Sequence, residues 1–406
     1  MTSGTDRLPE GLLGDYPQMT AGAIAAAVRS GDLTARQTTA VALEFVARHD
    51  TVRAFSETWE RTAAEQAADV DRRILAGEAL PLAGVPLGVK ATEGLTAHQT
   101  RRLIRAGCVA VGATSTPGPG TAWQTWGATD LGPTLNPHSP LWSPGGSSAG
   151  SAAAVATGLV PLATGSDGAG SVRIPAAWCS VIGLKPTNGL VPARDRAGLN
   201  IAGPLSRTVG DAALYLDTLT GAERPSPPTP PERPLRVTWS AALGFADTVD
   251  RIAASARNFL DALLSTGYMV EHDIPVRLDD PVPCWAALRG GDSASSTDVS
   301  RRIAAMKEEL ERVFAVADVV ATPTTPNPPH GHDGPGATMS VALTCAFNIS
   351  GHPAVSIPAG TTPAGEPVGL HLIARRHREA DLLAVAAAAE HLAPAAPGPP
   401  GSARRP

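Results

Sequence analysis

The sequence PGGSSAGSAAAVATGLVPLATGSDGAGSVRIP occupies residues 144–175 of the chain. It contains two loops that are rich in glycine and serine. Between them, small residues predict a helix over residues 151–158, and an apolar run predicts a strand over residues 160–164. Because glycine permits left-handed backbone conformations, residues 165–171 can curl until successive N–H groups point inward. Such a group of donors binds a phosphate or a developing oxyanion.

The phosphate interpretation of this loop has little support. The segment contains neither the GxxxxGK[ST] pattern nor GxGxxG in the register that binds a dinucleotide. On the glycine loop alone, a second interpretation stays open, in which the small residues only let a helix pack closely on a sheet. The loop alone does not distinguish an anion-binding role from a packing role, so the rest of the sequence has to be considered.

Outside this segment, predicted helices and strands alternate along the chain. Strands are predicted over residues 81–89 and 108–114, and helices over residues 57–75, 101–108 and 379–392. This alternation favours an α/β or mixed sheet that is covered by helices.

Two proline-rich segments interrupt or end this pattern. Residues 224–234 (RPSPPTPPERP) predict a surface linker, and the Pro/Gly-rich tail at residues 393–406 predicts disorder. We therefore expect one large domain over residues 1–392, followed by the disordered tail.

The composition argues against several classes of protein. Of the 406 residues, 43% are apolar and 17% are charged, which is typical of a folded chain. The net charge of −5 argues against a nucleic acid or an anionic membrane as the partner, because both require a basic surface. The four cysteines have no metal or redox spacing, which argues against disulfides and favours a reducing compartment. Without a membrane-length apolar run or a signal-peptide pattern, a cytoplasmic protein is expected.

Three motifs carry a resemblance to a known family. They are GVPLGVK at residues 84–90, GGSS at residues 145–148 and SDGAGSVRIP at residues 166–175. Their order, and the separation of the two key serines, resemble those of the amidase signature family of serine hydrolases. Shorter matches extend the resemblance over nearly the whole chain, among them GLKP at residues 183–186 and NISGHPAVSIP at residues 348–358. The resemblance implies a single large α/β domain, in which a central mixed, twisted sheet is covered by helices on both faces.

The resemblance also implies catalytic roles. Ser171 is the expected nucleophile, Ser147 is the expected proton relay after a cis peptide bond, and neutral Lys90 is the expected base. A serine hydroxyl needs a base, neither loop contains histidine, and burial can make a lysine neutral, so the residues fit these roles. The expected oxyanion donors are the backbone N–H groups of the second loop, which belong to Gly168, Ala169, Gly170 and Ser171.

Other residues are expected to support the site. Asp167 and Arg173 flank the nucleophile and are expected to form an ion pair that fixes the loop, while Ser148 is expected to donate or accept a hydrogen bond behind it. In related enzymes the stretch equivalent to residues 120–126 forms a wall of the acyl pocket. Trp123 and Trp126 are therefore candidate pocket residues, with burial in the core as the alternative.

Neither a metal nor a cofactor is expected. His330, His332 and Asp333 lie together in a Pro/Gly-rich loop, but an HxHD pattern without a third remote ligand is a weak metal signal. The expected partner is instead a small-molecule or carrier-linked amide substrate. The chain is also compatible with a homodimer.

The chain departs from the family pattern in three ways. Ala91 stands where an acid usually follows the lysine, which is expected to remove a carboxylate from the vicinity of Lys90. Ala169 stands where the family has glycine, which is expected to narrow the oxyanion loop and to disfavour a positive φ. The chain is also shorter than its relatives after Lys90 and between about residues 219 and 318, where the substrate lid commonly lies. This shortening predicts a more open pocket or, alternatively, a decayed enzyme.

The leading hypothesis is the hydrolysis of a carboxamide through an acyl-Ser171 intermediate. In one alternative, an amine replaces water as the acyl acceptor, as in a biosynthetic acyltransferase. A second alternative is the glutaminase subunit of a tRNA-dependent amidotransferase, against which the compact middle region and the lack of basic excess argue. The third is a non-catalytic binding protein on the amidase fold, against which the presence of Lys90, Ser147 and Ser171 together argues.

Overall fold

The computed structural model describes residues 11–221, 228–290 and 297–392. The predicted disordered tail at residues 393–406 and the start of the proline-rich run lie outside these ranges. Residues 228–234, the described part of that run, contain no helix or strand.

Strands of the described chain form one large sheet and one small hairpin. In chain order they are β1 (Phe55–Thr58), β2 (Pro86–Lys90), β3 (Val109–Thr114), β4 (Ala128–Thr129), β5 (Gly132–Pro133), β6 (Leu162–Asp167), β7 (Ile182–Lys185), β8 (Ile201–Ser206), β9 (Leu235–Trp239), β10 (Met269–Glu271), β11 (Val319–Pro323), β12 (Ala354–Thr361) and β13 (Pro367–Ala374).

Helices lie between most of these strands. In chain order they are α1 (Leu12–Asp15), α2 (Ala21–Ser30), α3 (Ala35–His49), α4 (Glu60–Leu75), α5 (His98–Arg105), α6 (Ala149–Ala156), α7 (Arg173–Cys179), α8 (Val209–Thr220), α9 (Asp250–Leu264), α10 (Val282–Gly290), α11 (Thr297–Val316), α12 (Ala346–Ser350) and α13 (Glu379–Glu390). A short 3₁₀ helix, Tyr16–Gln18, follows α1.

The large sheet is mixed. Its strands run in the order β1-β3-β2-β6-β8-β7-β12-β13-β11-β9-β10. β2 pairs in parallel with both β3 and β6, and β9 pairs in parallel with β10 and β11. The other neighbours pair antiparallel. The expected α/β fold with a mixed sheet is confirmed.

Helices cover both faces of this sheet, as alternation along β11 shows. Val319 and Ala321 belong to an apolar cluster that includes residues of α9, whereas Val320 belongs to a different cluster with residues of α11. Successive side chains of a strand point to opposite faces. The two helices therefore lie on opposite sides of the sheet, and both faces are buried.

Several predicted boundaries shift by a few residues. The helix expected from residue 57 begins at Glu60, because residues 55–58 instead form the edge strand β1, which pairs with β3. The helix expected over residues 101–108 is α5, which begins at His98 and ends at Arg105. The strand expected over residues 160–164 begins at Leu162 and continues to Asp167. Residues 165–167, which were expected to begin the glycine loop, therefore end the strand instead. The extra residues of β6 bring the loop to the end of a strand beside β2.

Within the described ranges, none of the helices combines the length and the apolar character that crossing a membrane requires.

Candidate active site

Lys90 is the last residue of β2 and is almost entirely buried. Its Nζ lies 2.9 Å from Ser147 Oγ, 3.1 Å from Ser166 Oγ and 3.3 Å from the backbone oxygen of Ser166. β2 and β6 are parallel neighbours, so their carboxyl ends meet at one edge of the sheet and bring Lys90 beside Ser166. The strand pairing therefore aims the lysine at the first Gly/Ser loop.

Burial makes this lysine easier to deprotonate than a lysine in water. Desolvation lowers the pKa of Lys90 to about 8, against the nearby carboxylates of Glu93 and Asp167, which raise it. A lysine with this pKa is half deprotonated near pH 8, about two units below the value of a free lysine. The neutral amine can accept a proton from Ser147 Oγ.

Ser147 and Ser148 precede α6. The peptide bond between Gly146 and Ser147 is cis, as the resemblance implied. The backbone N–H of Ser148 donates to the carbonyl oxygen of Ser171 at 3.3 Å, which joins the two Gly/Ser loops. The hydroxyl of Ser148 is buried and has no hydrogen-bond partner among the described residues. Ser148 thus forms its hydrogen bond to the second loop through its backbone amide, and its hydroxyl takes no part in that bond.

The second loop connects β6 to α7. Its shape depends on Gly170, which has a φ of +133° and at which an added Cβ would lie 2.4 Å from Thr344 Oγ1. The N–H of Gly170 donates to Asp167 Oδ1 at 2.7 Å. Since this N–H is already bonded, Gly170 is not available as an oxyanion donor, which corrects the prediction for this residue. The other three predicted donors, Gly168, Ala169 and Ser171, line the cavity described below.

Ala169 does not strain the loop. Its φ is not positive, so its methyl group carries no left-handed penalty and the expected conflict does not arise. The residue is nearly buried, and its carbonyl oxygen accepts a hydrogen bond from Thr344 Oγ1 at 2.5 Å.

Asp167 and Arg173 form a fully buried ion pair with 2.8 Å between Oδ1 and Nη2. The guanidinium also donates to Asn348 Oδ1 at 2.6 Å and to the backbone oxygen of Thr344 at 3.0 Å. Burial alone would raise the pKa of Asp167, but the charge and hydrogen bonds of Arg173 and the amide of Asn348 hold it well below its usual range. Neither side chain lines the cavity, so the pair fixes the loop instead of contacting substrate.

A cavity of about 390 Å³ opens beside these loops. Lys90, Ser147 and Ser171 all line it, so the structure brings the three predicted residues into one site. Trp123 lines the cavity, as predicted. Trp126 is not among the lining residues, and its indole N–H instead donates to Thr121 Oγ1 at 2.9 Å.

The lining of the cavity also contains residues that no sequence motif indicated. Trp285, on α10, donates its indole N–H to the carbonyl oxygen of Gly168 at 2.7 Å. Met339 and Arg289 line the cavity as well. These three residues reach the cavity because α10 and the loop after β11 pack against the glycine loop. No local sequence pattern near them indicates this packing.

Glu93 is a further residue that no sequence motif indicated. It is buried, and its backbone N–H donates to the Lys90 oxygen at 2.8 Å in the turn that leads to α5. Gln99 donates to its carboxylate, and Arg194 Nη1 lies 3.6 Å from Oε1. Burial raises the pKa of Glu93, against the charges of Lys90 and Arg194. Glu93 thus supplies the carboxylate near Lys90 that was expected to be missing because residue 91 is alanine. The sequence could have indicated this, because an acid three positions after the lysine, in so short a connection, has to lie close to it.

Replacement of Glu93 by glutamine is expected to shift the pH dependence of catalysis. The Glu93 carboxylate stabilises protonated Lys90, so its removal lowers the pKa of the lysine further. The rising limb of a kcat/KM–pH profile should therefore move to lower pH, by about one unit. Glu308→Gln, an exposed substitution on α11, is the control and should leave the profile in place. A profile of Glu93→Gln that matches the wild type, or moves to higher pH, would contradict this role.

The rings of His330 and His332 lie within hydrogen-bond distance of polar atoms in their own loop and in other loops. His330 Nε2 lies 2.7 Å from Thr125 Oγ1, and its Nδ1 lies 2.7 Å from the Gly331 oxygen. His332 Nε2 lies 2.9 Å from the Pro140 oxygen. Among the residues that the structure describes, no group of three or more His, Cys, Asp or Glu side chains is arranged to hold a metal ion.

Comparisons with known proteins place this site in a family. The amidase family profile matches residues 91–289 and 286–383, which include both serines and begin directly after Lys90. The amidase AmiA2 of Mycobacterium tuberculosis is 33% identical over 90% of this chain and 90% of its own length. The acylamidase of Rhodococcus erythropolis is 32% identical over 91% of this chain and 94% of its own length.

A solved structure agrees with these matches. A bacterial aryl acylamidase of the amidase signature family superimposes with a TM-score of 0.77 at 25% identity, over 93% of this chain and 96% of the other. The extent of the matched residues, the relatives and the shared fold lead to one conclusion. The chain belongs to the amidase signature family and is a hydrolase that acts on amides.

Proposed function

We propose that the protein hydrolyses a carboxamide through an acyl-Ser171 intermediate, with Ser147 and Lys90 moving the proton. The observation that carries this proposal is the 2.9 Å contact between Lys90 Nζ and Ser147 Oγ, in a cavity that Ser171 also lines. The lowered pKa of Lys90 supports it, because only the neutral amine can act as a base.

In the proposed acylation, neutral Lys90 takes the proton of Ser147, which takes the proton of Ser171. Ser171 Oγ then bonds to the amide carbonyl carbon. The negative charge that develops on the carbonyl oxygen is stabilised by backbone N–H groups of Gly168, Ala169 and Ser171. Loss of one such donor typically raises the barrier by about 3–4 kcal/mol.

The proton then returns through Ser147 to the nitrogen of the leaving amine as the C–N bond breaks. An amide needs this protonation more than an ester does, because an amine anion is a very poor leaving group. Water next attacks the acyl-enzyme, gives its proton to the same relay and releases the carboxylic acid together with free Ser171.

The acyl-enzyme is tested directly by mass spectrometry. The protein is mixed with an excess of para-nitrophenyl acetate and quenched within seconds, and the intact mass is measured. We expect an added acetyl group on the peptide that contains Ser171, and its absence from Ser171→Ala. Parallel reactions with an added primary amine report whether the acyl group passes to the amine or to water. An enzyme that turns over amides without acylating Ser171 would overturn the proposal.

Loss of the Ser147 hydroxyl is expected to impair amides more than esters. The hydroxyl contacts Lys90 Nζ at 2.9 Å. In the proposed mechanism it passes the proton on, so Ser147→Ala removes the path that protonates the leaving amine. General acid–base catalysis of this kind contributes about 10²–10⁴-fold, and activated esters need little of it at the leaving group. The measurement compares kcat/KM for para-nitroacetanilide and para-nitrophenyl acetate.

Ser148→Ala is the matched control, because the Ser148 hydroxyl has no partner among the described residues. Its ratio of amide to ester activity should equal that of the wild type. Equal losses on both substrates in Ser147→Ala would assign Ser147 a purely structural part.

A further inference from the structure

The charged side chains that line the cavity are all cationic. Two cationic side chains line it, Lys90 at the catalytic end and Arg289 on α10, and its described lining includes no Asp or Glu. Lys90 is committed to Ser147 and is partly neutral near pH 8. Arg289 therefore supplies a lasting positive charge to the part of the cavity that a substrate would fill.

Arg289 is held in place by its contact with Trp285. The guanidinium carbon lies 5.0 Å from the centre of the Trp285 ring, and the Trp285 indole is in turn bonded to the carbonyl oxygen of Gly168. Stacking on an aromatic face leaves the edge of a guanidinium, with its N–H donors, free to contact a ligand. The arginine is thus attached to the loop that carries the nucleophile.

The amide side chain of Asn200 lies close to Arg289, beside Gly168. A Cβ placed on Gly168 would be 3.5 Å from Arg289 Nη1 and 3.9 Å from Asn200 Oδ1, and Asn200 also lines the cavity. Arg289 Nη1 can donate a charge-assisted hydrogen bond to a carboxylate at this point. The Asn200 carboxamide can donate a second one from Nδ2 after its amide group turns, because the atom that faces the point in this structure is the acceptor Oδ1.

This point lies within reach of the scissile bond. Gly168 and Ser171 are three residues apart, so their Cα atoms are separated by at most about 11 Å. A substrate with a carboxylate a few bonds from its amide could therefore contact Arg289 while its carbonyl carbon meets Ser171.

We propose that Arg289 and Asn200 form a subsite that selects amides carrying a carboxylate. The proposal rests on the proposed function, since it names the class of substrate that the same cavity takes. It assigns Arg289 to recognition of the substrate and gives it no part in bond cleavage.

The test uses matched substrates that differ in one charge. Glutaryl para-nitroanilide and pentanoyl para-nitroanilide differ at the far end of the acyl group, whereas N-acetyl-para-aminobenzoate and N-acetyl-para-toluidine differ on the amine. The wild type should have a higher kcat/KM for the anionic member of at least one pair, and the pair that responds shows which side of the amide faces Arg289. Succinyl and adipyl analogues then define the preferred length.

In Arg289→Gln this preference should fall by about tenfold, mainly through KM, because a charge-assisted hydrogen bond at an exposed arginine is lost. Adding about 1 M NaCl should weaken the wild-type preference in the same direction, since the Debye length falls to about 3 Å. Arg48→Gln removes the same charge from α3, where Arg48 pairs with Glu44, and should leave the preference as it is. A role of Arg289 confined to packing against Trp285 would lower both members of a pair equally and would overturn the proposal.

Measurements of substrate binding distinguish a failure of the proposed hydrolysis from a failure of the proposed subsite. Titration calorimetry of Ser171→Ala with the same pairs gives Kd values that need no turnover. If the wild type cleaves none of these amides, the proposed hydrolysis of this class fails. The subsite is still supported if Ser171→Ala binds the anionic member of a pair with a lower Kd and if adding Arg289→Gln to Ser171→Ala abolishes this difference. Equal Kd values for both members of each pair would reject it.

Discussion

Replacement of Ser171 by alanine is expected to abolish covalent labelling by a fluorophosphonate probe and to lower amide turnover by a factor on the order of 10⁴ or more. The probe reacts when a serine Oγ bonds to phosphorus and fluoride leaves, so it reports an activated nucleophile whatever the natural substrate is. Ser171 is only partly buried and lines the cavity, so the probe can reach it.

Ser30→Ala is the control, since Ser30 is exposed on α2. It should be labelled at the wild-type rate. The circular dichroism and melting temperature of Ser171→Ala should match those of the wild type, because the Asp167–Arg173 pair that fixes the loop remains. Undiminished labelling of a folded Ser171→Ala protein would assign the nucleophile elsewhere.

Replacement of Lys90 by arginine is expected to inactivate the enzyme at every accessible pH. Arginine stays charged, so it cannot accept a proton from Ser147. In the proposed mechanism the base of the wild type is the neutral lysine, so activity should rise with pH, through a midpoint near the pKa of about 8, and then level off. Lys90→Ala should retain at most slow ester cleavage at high pH, where hydroxide replaces the base.

The pH–rate profiles of the wild type and both variants check this expectation. Another buried lysine, Lys185, also has its pKa lowered by burial, to about 7, but it does not line the cavity. Dependence of the rising limb on Lys90 therefore has to be shown by substitution. Lys307→Arg, on the exposed side of α11, is the control. A folded Lys90→Arg enzyme that cleaves amides at the wild-type rate would show that the lysine is not the base.

The parts of the site that the sequence predicts are those carried by short contiguous motifs. Lys90 ends the GVPLGVK strand, and Ser147 and Ser171 lie in Gly/Ser loops whose local backbone requirements are visible as glycines. The parallel pairing of β2 with β6, which brings two of these motifs together, is in keeping with the α/β pattern of the chain.

The parts that could not be predicted depend on contacts between distant segments. Trp285 and Arg289 reach the cavity because α10 packs against the glycine loop, and Trp123 rather than Trp126 lines it because of the path of a long irregular loop. The bond between the Gly170 N–H and Asp167 depends on a side-chain conformation, which no sequence motif specifies. These features are set by tertiary packing, which local propensities do not determine.

The hydrogen bonds of Arg173 to Thr344 and Asn348 have a consequence for the newly made chain. Arg173 and Asn348 are 175 positions apart, and the bonds between them hold the loop that carries Ser171. During synthesis, Lys90, Ser147 and Ser171 all leave the ribosome well before Asn348 does. Contacts between such distant positions form late, because a long loop must close first. A nascent chain therefore carries all three proposed catalytic residues without this support, and we expect hydrolysis to begin only after residues 344–348 have packed against the loop.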